Sequence, residues 1–320
     1  MSTSQITVVA AHVAPVFMDA AATARKAVEW IERAADAGAR LIVFPEVFLP
    51  GFPYWINLYP PLVQAGLNRR YQDQSVEADG PEVALLREAA ARCGIAVVVG
   101  ASERRAGGRT CHNSALAIDR DGRLAGVHRK LQPTYAERYI WGQGDGSTLD
   151  VWTLGAGRVG AISCYEETMN VARQAWIAQG EQIHAALWPS LSTMPGFDRI
   201  ANVQIEAMMR NHALTGQCFV VCASSPVTPQ MLDFMRAELG PQEMLASGGG
   251  WTAIIHPFAA TAAGPVSGEE EQLVTAKIDL DDVKDVKLWV DTTGHYSRPE
   301  VLRLVVDRTA RRTVEYVGER

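Results

Sequence analysis

Residues 158–188 read RVGAISCYEETMNVARQAWIAQGEQIHAALW. The run Arg158–Ser163 has the length and apolar character of a buried strand, and it delivers Cys164 at its end. Met169–Gln179 carries a helical pattern that Gly180 stops, and Ile183–Trp188 reads as a second buried strand. Strand, helix and strand in succession are the unit of an α/β layer fold. The alternation continues in both directions. Toward the C terminus Arg199–Leu214 reads as a helix, Phe219–Ala223 as a buried strand, and Thr252–His256 and Leu273–Ile278 as closing strands. Toward the N terminus Ile6–His12 and Leu41–Phe44 are strands on either side of a helix whose apolar face holds Ala24, Val28, Ile31 and Ala35 and which Gly38 ends. A helix over 82–92 ends at Gly94 and feeds the strand Ile95–Gly100. The turn DRDG at 119–122 joins the strands Ser114–Ile118 and Leu124–His128. No repeat, low-complexity tract or linker interrupts the pattern, so one α/β domain over 1–320 is expected.

Composition narrows the function. The 320 residues are 48% hydrophobic, enough for a large core without disulfide or metal staples. Lys and Arg total 30 against 36 Asp and Glu, a balance that argues against a nucleic-acid coat. The five cysteines are an odd number without a regular framework, which favours a reducing cytoplasm. The opening MSTSQITVVAAHVA lacks the basic region of a signal peptide. The apolar stretch from Ile6 to Ala24 is broken by His12, Pro15 and Asp19, so no membrane span is expected.

Several familiar sites are missing. The chain has no G-x-x-x-x-G-K-[ST] phosphate loop and no G-x-S-x-G elbow, and the Gly-rich 142–146 lacks the full dinucleotide pattern. Cys218 and Cys222 share a strand face with no C-x-x-C or H-E-x-x-H nearby, and read as small buried hydrophobes rather than zinc ligands. Cys164 differs in its position. It ends a buried strand and precedes a helix, where backbone N–H groups favour thiolate over thiol. Glu46 and Lys130 also follow short buried strands. A carboxylate can take the thiol proton and later activate water, and an ammonium can stabilise charge on the attacked substrate. Together the three make a hydrolase hypothesis, although each alone would more often be a structural ion-pair partner.

These residues sit in recognisable blocks. Phe44-Pro45-Glu46 with Pro50-Gly51-Phe52-Pro53, then HRKLQPT at 128–134, then Cys164-Tyr165-Glu166 resemble the Glu, Lys and Cys blocks of the carbon–nitrogen hydrolase (nitrilase) superfamily. WGQGDGS at 141–147, the segment from Gln182-Ile183-His184 to Trp188-Pro189-Ser190, and GHYSRPE at 294–300 resemble the nitrilase branch. The resemblance runs from about Ile6 to Val305. It implies a four-layer α-β-β-α sandwich and a homo-oligomer built from dimers paired through helical faces, extending into spirals or filaments, with the tail from about residue 290 in subunit contacts. It implies no cofactor and no metal, with a small-molecule nitrile as the partner. The roles it implies are Cys164 as nucleophile, Glu46 as general base, Lys130 as charge stabiliser, Glu137 as an additional glutamate, and the Tyr165 N–H as a second anion donor. Closeness in sequence to that trio makes Tyr54, Trp55, Tyr135, Tyr165, Trp188 and Pro189 the candidate pocket walls.

The expected reaction is hydrolysis of an organic nitrile to the carboxylic acid and ammonia through a thioimidate and a thioester. A cyanide hydratase or dihydratase, an amidase or N-carbamoyl hydrolase, and a non-catalytic scaffold are the alternatives. Two residues depart from the nitrilase pattern: Tyr165 stands where Trp is common, and Glu167 where Asn or His is common. Glu167 is expected either to raise the Cys164 pKa, if ionised and close, or to face solvent or cap the next helix.

Overall fold

The computed structural model describes residues 4–311 and Gly318, so the two ends of the expected domain, 1–3 and most of 312–320, lie outside the described residues. Along the chain come β1 (Gln5–His12), α1 (Ala20–Asp36), β2 (Ala39–Val43), α2 (Ala65–Gln74), α3 (Pro81–Cys93), β3 (Ala96–Arg104), β4 (Cys111–Ile118) and β5 (Leu124–Arg129). Next follow β6 (Trp152–Leu154), β7 (Gly157–Ser163), α4 (Asn170–Ile177), β8 (Ile183–Trp188), α5 (Ala201–Gly216) and β9 (Phe219–Ser224). Last are α6 (Pro229–Leu239), β10 (Thr252–Ile255), β11 (Thr261–Val266), β12 (Gln272–Asp279) and α7 (Asp282–Trp289).

The strands form two six-stranded sheets, ordered β12-β1-β2-β3-β4-β5 and β11-β10-β9-β8-β7-β6. Each sheet has three parallel strands in its middle, β1 to β3 and β7 to β9, with antiparallel strands outside them. The pleat sorts the apolar side chains between two cores. Val8, Ala10, Leu41 and Val98 of the first sheet meet Val159, Ala161, Ala185 and Val221 of the second in one buried layer. The alternate residues Val9, Ala11, Ile42 and Val97 turn outward onto α1 and α3. On the far side Ala186, Trp188, Val220 and Cys222 pack against Ile205, Met209 and Ala213 of α5, and Ile162 packs against Ala172 and Trp176 of α4. Helix, sheet, sheet, helix is therefore the layer order, as expected.

Local signals account for the element ends. Asp19 caps α1 by accepting from the Ala22 N–H at 2.8 Å, and α3 begins with Pro81 and stops at Gly94 in the left-handed conformation. Among the elements not anticipated from sequence, which include β6, α6 and α7, two have weak burial patterns. β11 is an edge strand with mostly exposed side chains and a Gly-Pro step, and α2 buries only Leu67 and Tyr71. The two central parallel triplets end at one rim. There Glu46 lies three residues beyond β2 and Cys164 follows β7 directly, and Lys130 follows β5, the outer strand of the first sheet.

Candidate active site

Glu46 reaches the rim because β3 passes its backbone closely. A Cβ on Gly100 would lie 2.3 Å from the Pro45 carbonyl oxygen and 2.5 Å from the Val47 nitrogen, so only glycine permits that approach. The Glu46 Oε1 atom accepts from Lys130 Nζ at 3.0 Å and from Asn113 Nδ2 at 2.7 Å. Its Oε2 is buried and has no protein partner. Lys130 is buried and also donates to both oxygens of Glu137, at 3.0 and 2.9 Å. Glu137 is fixed in turn by a capping box: its Oε2 accepts from the Thr134 N–H at 3.0 Å at the start of the 3-10 turn Tyr135–Tyr139. The Gly-rich block serves this corner. A Cβ on Gly144 would sit 2.1 Å from the Arg129 carbonyl oxygen, and the Gly144 N–H donates to the Lys130 carbonyl at 2.8 Å.

Cys164 opens a 3-10 turn, Cys164–Thr168, with a φ of 56°, a left-handed conformation that costs energy for any residue with a Cβ. Val47 and Tyr135, beside Glu46 and the Glu137 turn, also have positive φ. Backbone strain thus gathers at the rim. Sγ of Cys164 and carboxylate oxygens of Glu46 and Glu137 lie within 4.8 Å of one another, with the Lys130 ammonium bonded to both acids. The ammonium fills the place between the two carboxylates that a cation would otherwise take, so it offsets one of their two negative charges.

Burial dominates the electrostatics. It raises the Glu46 carboxyl to about 7, against the pull of Lys130. Burial disfavours charge on Lys130, but Glu137 and Glu46 hold its ammonium well above the ordinary lysine value. Cys164 is pushed well above an ordinary thiol, first by burial and then by the Glu46 charge, while the Tyr165 N–H and Lys130 pull the other way. The expectation that backbone N–H groups at the turn would tip Cys164 toward thiolate is corrected here. The backbone N–H contribution is real but smaller than the loss of water, so the surroundings favour the thiol over the thiolate.

The two residues after Tyr165 anchor the Cys164 turn in opposite directions. Glu166 accepts from the Leu131 N–H at 2.8 Å and contacts His128 Nε2 at 3.0 Å, tying the turn to the Lys130 segment. Glu167 is buried and contacts His184 Nε2 at 2.7 Å and His212 Nδ1 at 3.3 Å. It neither faces solvent nor caps the next helix, which corrects that reading. Its charge is matched by histidines that sequence inspection did not connect to it.

Beside Cys164 is a cavity of about 340 Å³ lined by Phe52, Leu58, Tyr135, Tyr165, Leu191 and Met244 among others, and reaching Glu137. Of the candidate walls, Tyr135 and Tyr165 line it. Tyr54, Trp55, Trp188 and Pro189 do not: they are buried behind its surface. Trp188 meets Tyr165 edge to face at 5.7 Å and Tyr54 meets Phe52 at 5.1 Å, so both support the wall from behind. The Tyr54 hydroxyl also accepts from the Ser190 N–H, and Trp55 donates to Asn68 Oδ1 at 2.7 Å. Asn113 was missed, although HNS at 112–114 is a polar run in an otherwise apolar strand.

A carboxylate, an ammonium and a thiol at one buried rim, held by two layered sheets, correspond to a known family. Residues 5–288 match the profile of the carbon-nitrogen hydrolase family. The chain belongs to that family. Members hydrolyse carbon–nitrogen bonds, and this chain is an enzyme of that kind. It is similar to an aliphatic nitrilase of Rhodococcus rhodochrous, 40% identical over 94% of this chain and 82% of the relative. It is also similar to a bromoxynil-specific nitrilase of Klebsiella pneumoniae subsp. ozaenae, 37% identical over 95% and 85%. Its fold resembles that of the C. elegans NitFhit protein, with a TM-score of 0.75 at 19% identity over 98% of this chain and 70% of that one.

Proposed function

We propose that this carbon–nitrogen hydrolase is a nitrilase that converts an organic nitrile to its carboxylic acid and ammonia, with Cys164 as nucleophile. The observation that carries the chemistry is the unpartnered Oε2 of Glu46, whose carboxylate lies within 4.8 Å of the Cys164 Sγ and is held at about 7. A base with that affinity is matched to work near neutral pH. Glu46 takes the thiol proton, sulfur bonds to the nitrile carbon, and the proton passes to nitrogen to give a thioimidate. Lys130 and the Tyr165 N–H stabilise negative charge as it develops on that nitrogen. Water, deprotonated by Glu46, adds to the carbon. The tetrahedral intermediate expels ammonia and leaves a thioester, and a second water releases the acid and restores the thiol.

The cavity supports an uncharged, largely apolar nitrile, since Phe52, Leu58, Leu191 and Met244 offer no partner for a charged group. The protein functions as one hydrolase domain in the cytoplasm, as a homo-oligomer paired through its outer helices, with the tail beyond about 290 at the contacts. Exposed Val171 on α4, Val203 and Leu214 on α5, and Leu302 and Val305 in the tail support that pairing. Among the described residues no helix is long and apolar enough to cross a membrane. The test is product analysis with small aliphatic and arylacetic nitriles. Acid and ammonia in equal amounts are expected; formamide or formate from cyanide alone, or turnover of amides alone, would overturn the reading.

A further inference from the structure

Behind the nucleophile, Glu167, His184, Glu181 and His212 close a ring. Glu167 contacts His184 Nε2 at 2.7 Å, and His184 Nδ1 contacts Glu181 at 3.1 Å. Glu181 contacts His212 Nε2 at 2.6 Å, and His212 Nδ1 returns to Glu167 at 3.3 Å. All four side chains are buried, and the two imidazoles stack with centroids 3.6 Å apart. The members come from four places: the Cys164–Thr168 turn, the residue before Gln182 that leads into β8, β8 itself, and α5.

The ring has a definite proton count. Each of its four contacts needs one hydrogen, an ionised carboxylate brings none, and an imidazolium brings two. Four hydrogens in all therefore complete the ring, and with four the two acids and two imidazoles carry zero net charge. Removing one proton sets two lone pairs against each other in a dry site, which is why such a network is all or nothing.

We propose that this ring is a positioning device for catalysis: it clamps the Cys164–Thr168 turn onto β8 and α5, and so sets the place of the Cys164 thiol and the Tyr165 N–H. The proposal rests on Cys164 being the nucleophile. None of the four side chains lines the cavity beside Cys164, so the ring acts through the turn. The direction of titration agrees. Burial disfavours every charge here, yet Glu167 and Glu181 hold His184 at about 10, and the histidines hold Glu181 at about 2. The other titratable groups facing the ring are the thiols of Cys218 and Cys222 on the β9 side, with Arg173 of α4 and Lys287 of α7 acting on Cys218 from further out. Both thiols are raised by burial and stay neutral beside the ring.

The test compares Glu181→Ala with Glu181→Gln, each with kcat, KM and melting temperature measured on folded protein. Alanine opens the ring and lets the turn shift, so kcat falls about a hundredfold while KM stays put. Glutamine accepts from His184 and donates to His212, so the ring closes with four hydrogens and most of the kcat returns. A folded Glu181→Ala protein with lower melting temperature and unchanged kcat would make the ring merely structural, and a glutamine variant no better than alanine would refute the proton count. Should Glu181→Ala not fold, nitrogen-15 NMR of wild type at pH 8 decides: a doubly protonated His184 is expected, and a neutral one overturns the proposal. Stoichiometric metal in the purified enzyme would also overturn it, because a metal needs the nitrogen lone pairs that the ring gives to protons. Cys164→Ala run alongside separates the two readings, since turnover there removes the nucleophile itself.

Discussion

Asn113 donates to the same oxygen of Glu46 that Lys130 uses, and this leaves Oε2 without a partner, open for the proposed base role. The amide also lowers the Glu46 proton affinity, opposing the burial that raises it. Glu46 at about 7 must lose its proton to act, so kcat/KM climbs as pH rises through that value. In Asn113→Ala the climb moves to higher pH, with less activity below neutrality and a smaller loss above. A pH profile of kcat/KM checks the shift. Glu46→Gln, which keeps the shape and cannot accept the proton, loses both the activity and the pH limb.

Lys130 is buried and makes three contacts to two carboxylates. Lys130→Arg keeps the charge but puts a wide planar fork where a compact ammonium fits, and it inactivates the enzyme. Lys130→Met leaves the acids without a counter-charge and destabilises by about 3–5 kcal/mol. Activity assays and denaturant unfolding separate the two effects. A near wild-type Lys130→Arg enzyme would reduce Lys130 to an ion-pair residue.

Much of this was legible in the sequence because strand ends are. Short apolar runs announced where the chain surfaces at the rim, and Glu46, Lys130 and Cys164 each followed one. The partners were not legible. Asn113 comes from a strand that pairs with β3 and β5, and His184 and His212 lie 17 and 45 residues beyond Glu167. Their meeting depends on sheet register and on α5 crossing the sheet, which no local pattern encodes. Only two of the six candidate pocket walls, Tyr135 and Tyr165, line the cavity, for a similar reason. Tyr54, Trp55, Trp188 and Pro189 are neighbours of the site along the chain, but the pleat and the tight turns direct them behind its surface.

Tyr165 lines the cavity, rests its ring on Trp188 and donates its hydroxyl to Gln204 at 2.8 Å. Tyr165→Trp adds bulk, removes that hydrogen bond and keeps the backbone N–H. The ratio of kcat/KM for small over large nitriles therefore rises, chiefly through KM, while kcat for the smallest substrate persists. A substrate panel scored by ammonia release measures it.

The buried ring also shapes stability. His184 sits at about 10, above its ordinary 6.5, so its contribution is full below 6.5 and is lost as pH rises through about 10. Glu181 sits at about 2, below its ordinary 4.5, so its contribution is full above 4.5 and is lost as pH falls through about 2. Melting temperature against pH should hold between those limbs, and Glu181→Gln should flatten the acid one.

Catalysis through Cys164 requires a covalent intermediate on its sulfur. The direct measurement is mass spectrometry of enzyme quenched in acid during turnover of a slowly hydrolysed nitrile, with peptide mapping. An acyl or imidoyl adduct on the peptide bearing Cys164 is predicted, absent from a folded and inactive Cys164→Ala protein. An adduct on another residue, or turnover by Cys164→Ala, would contradict it.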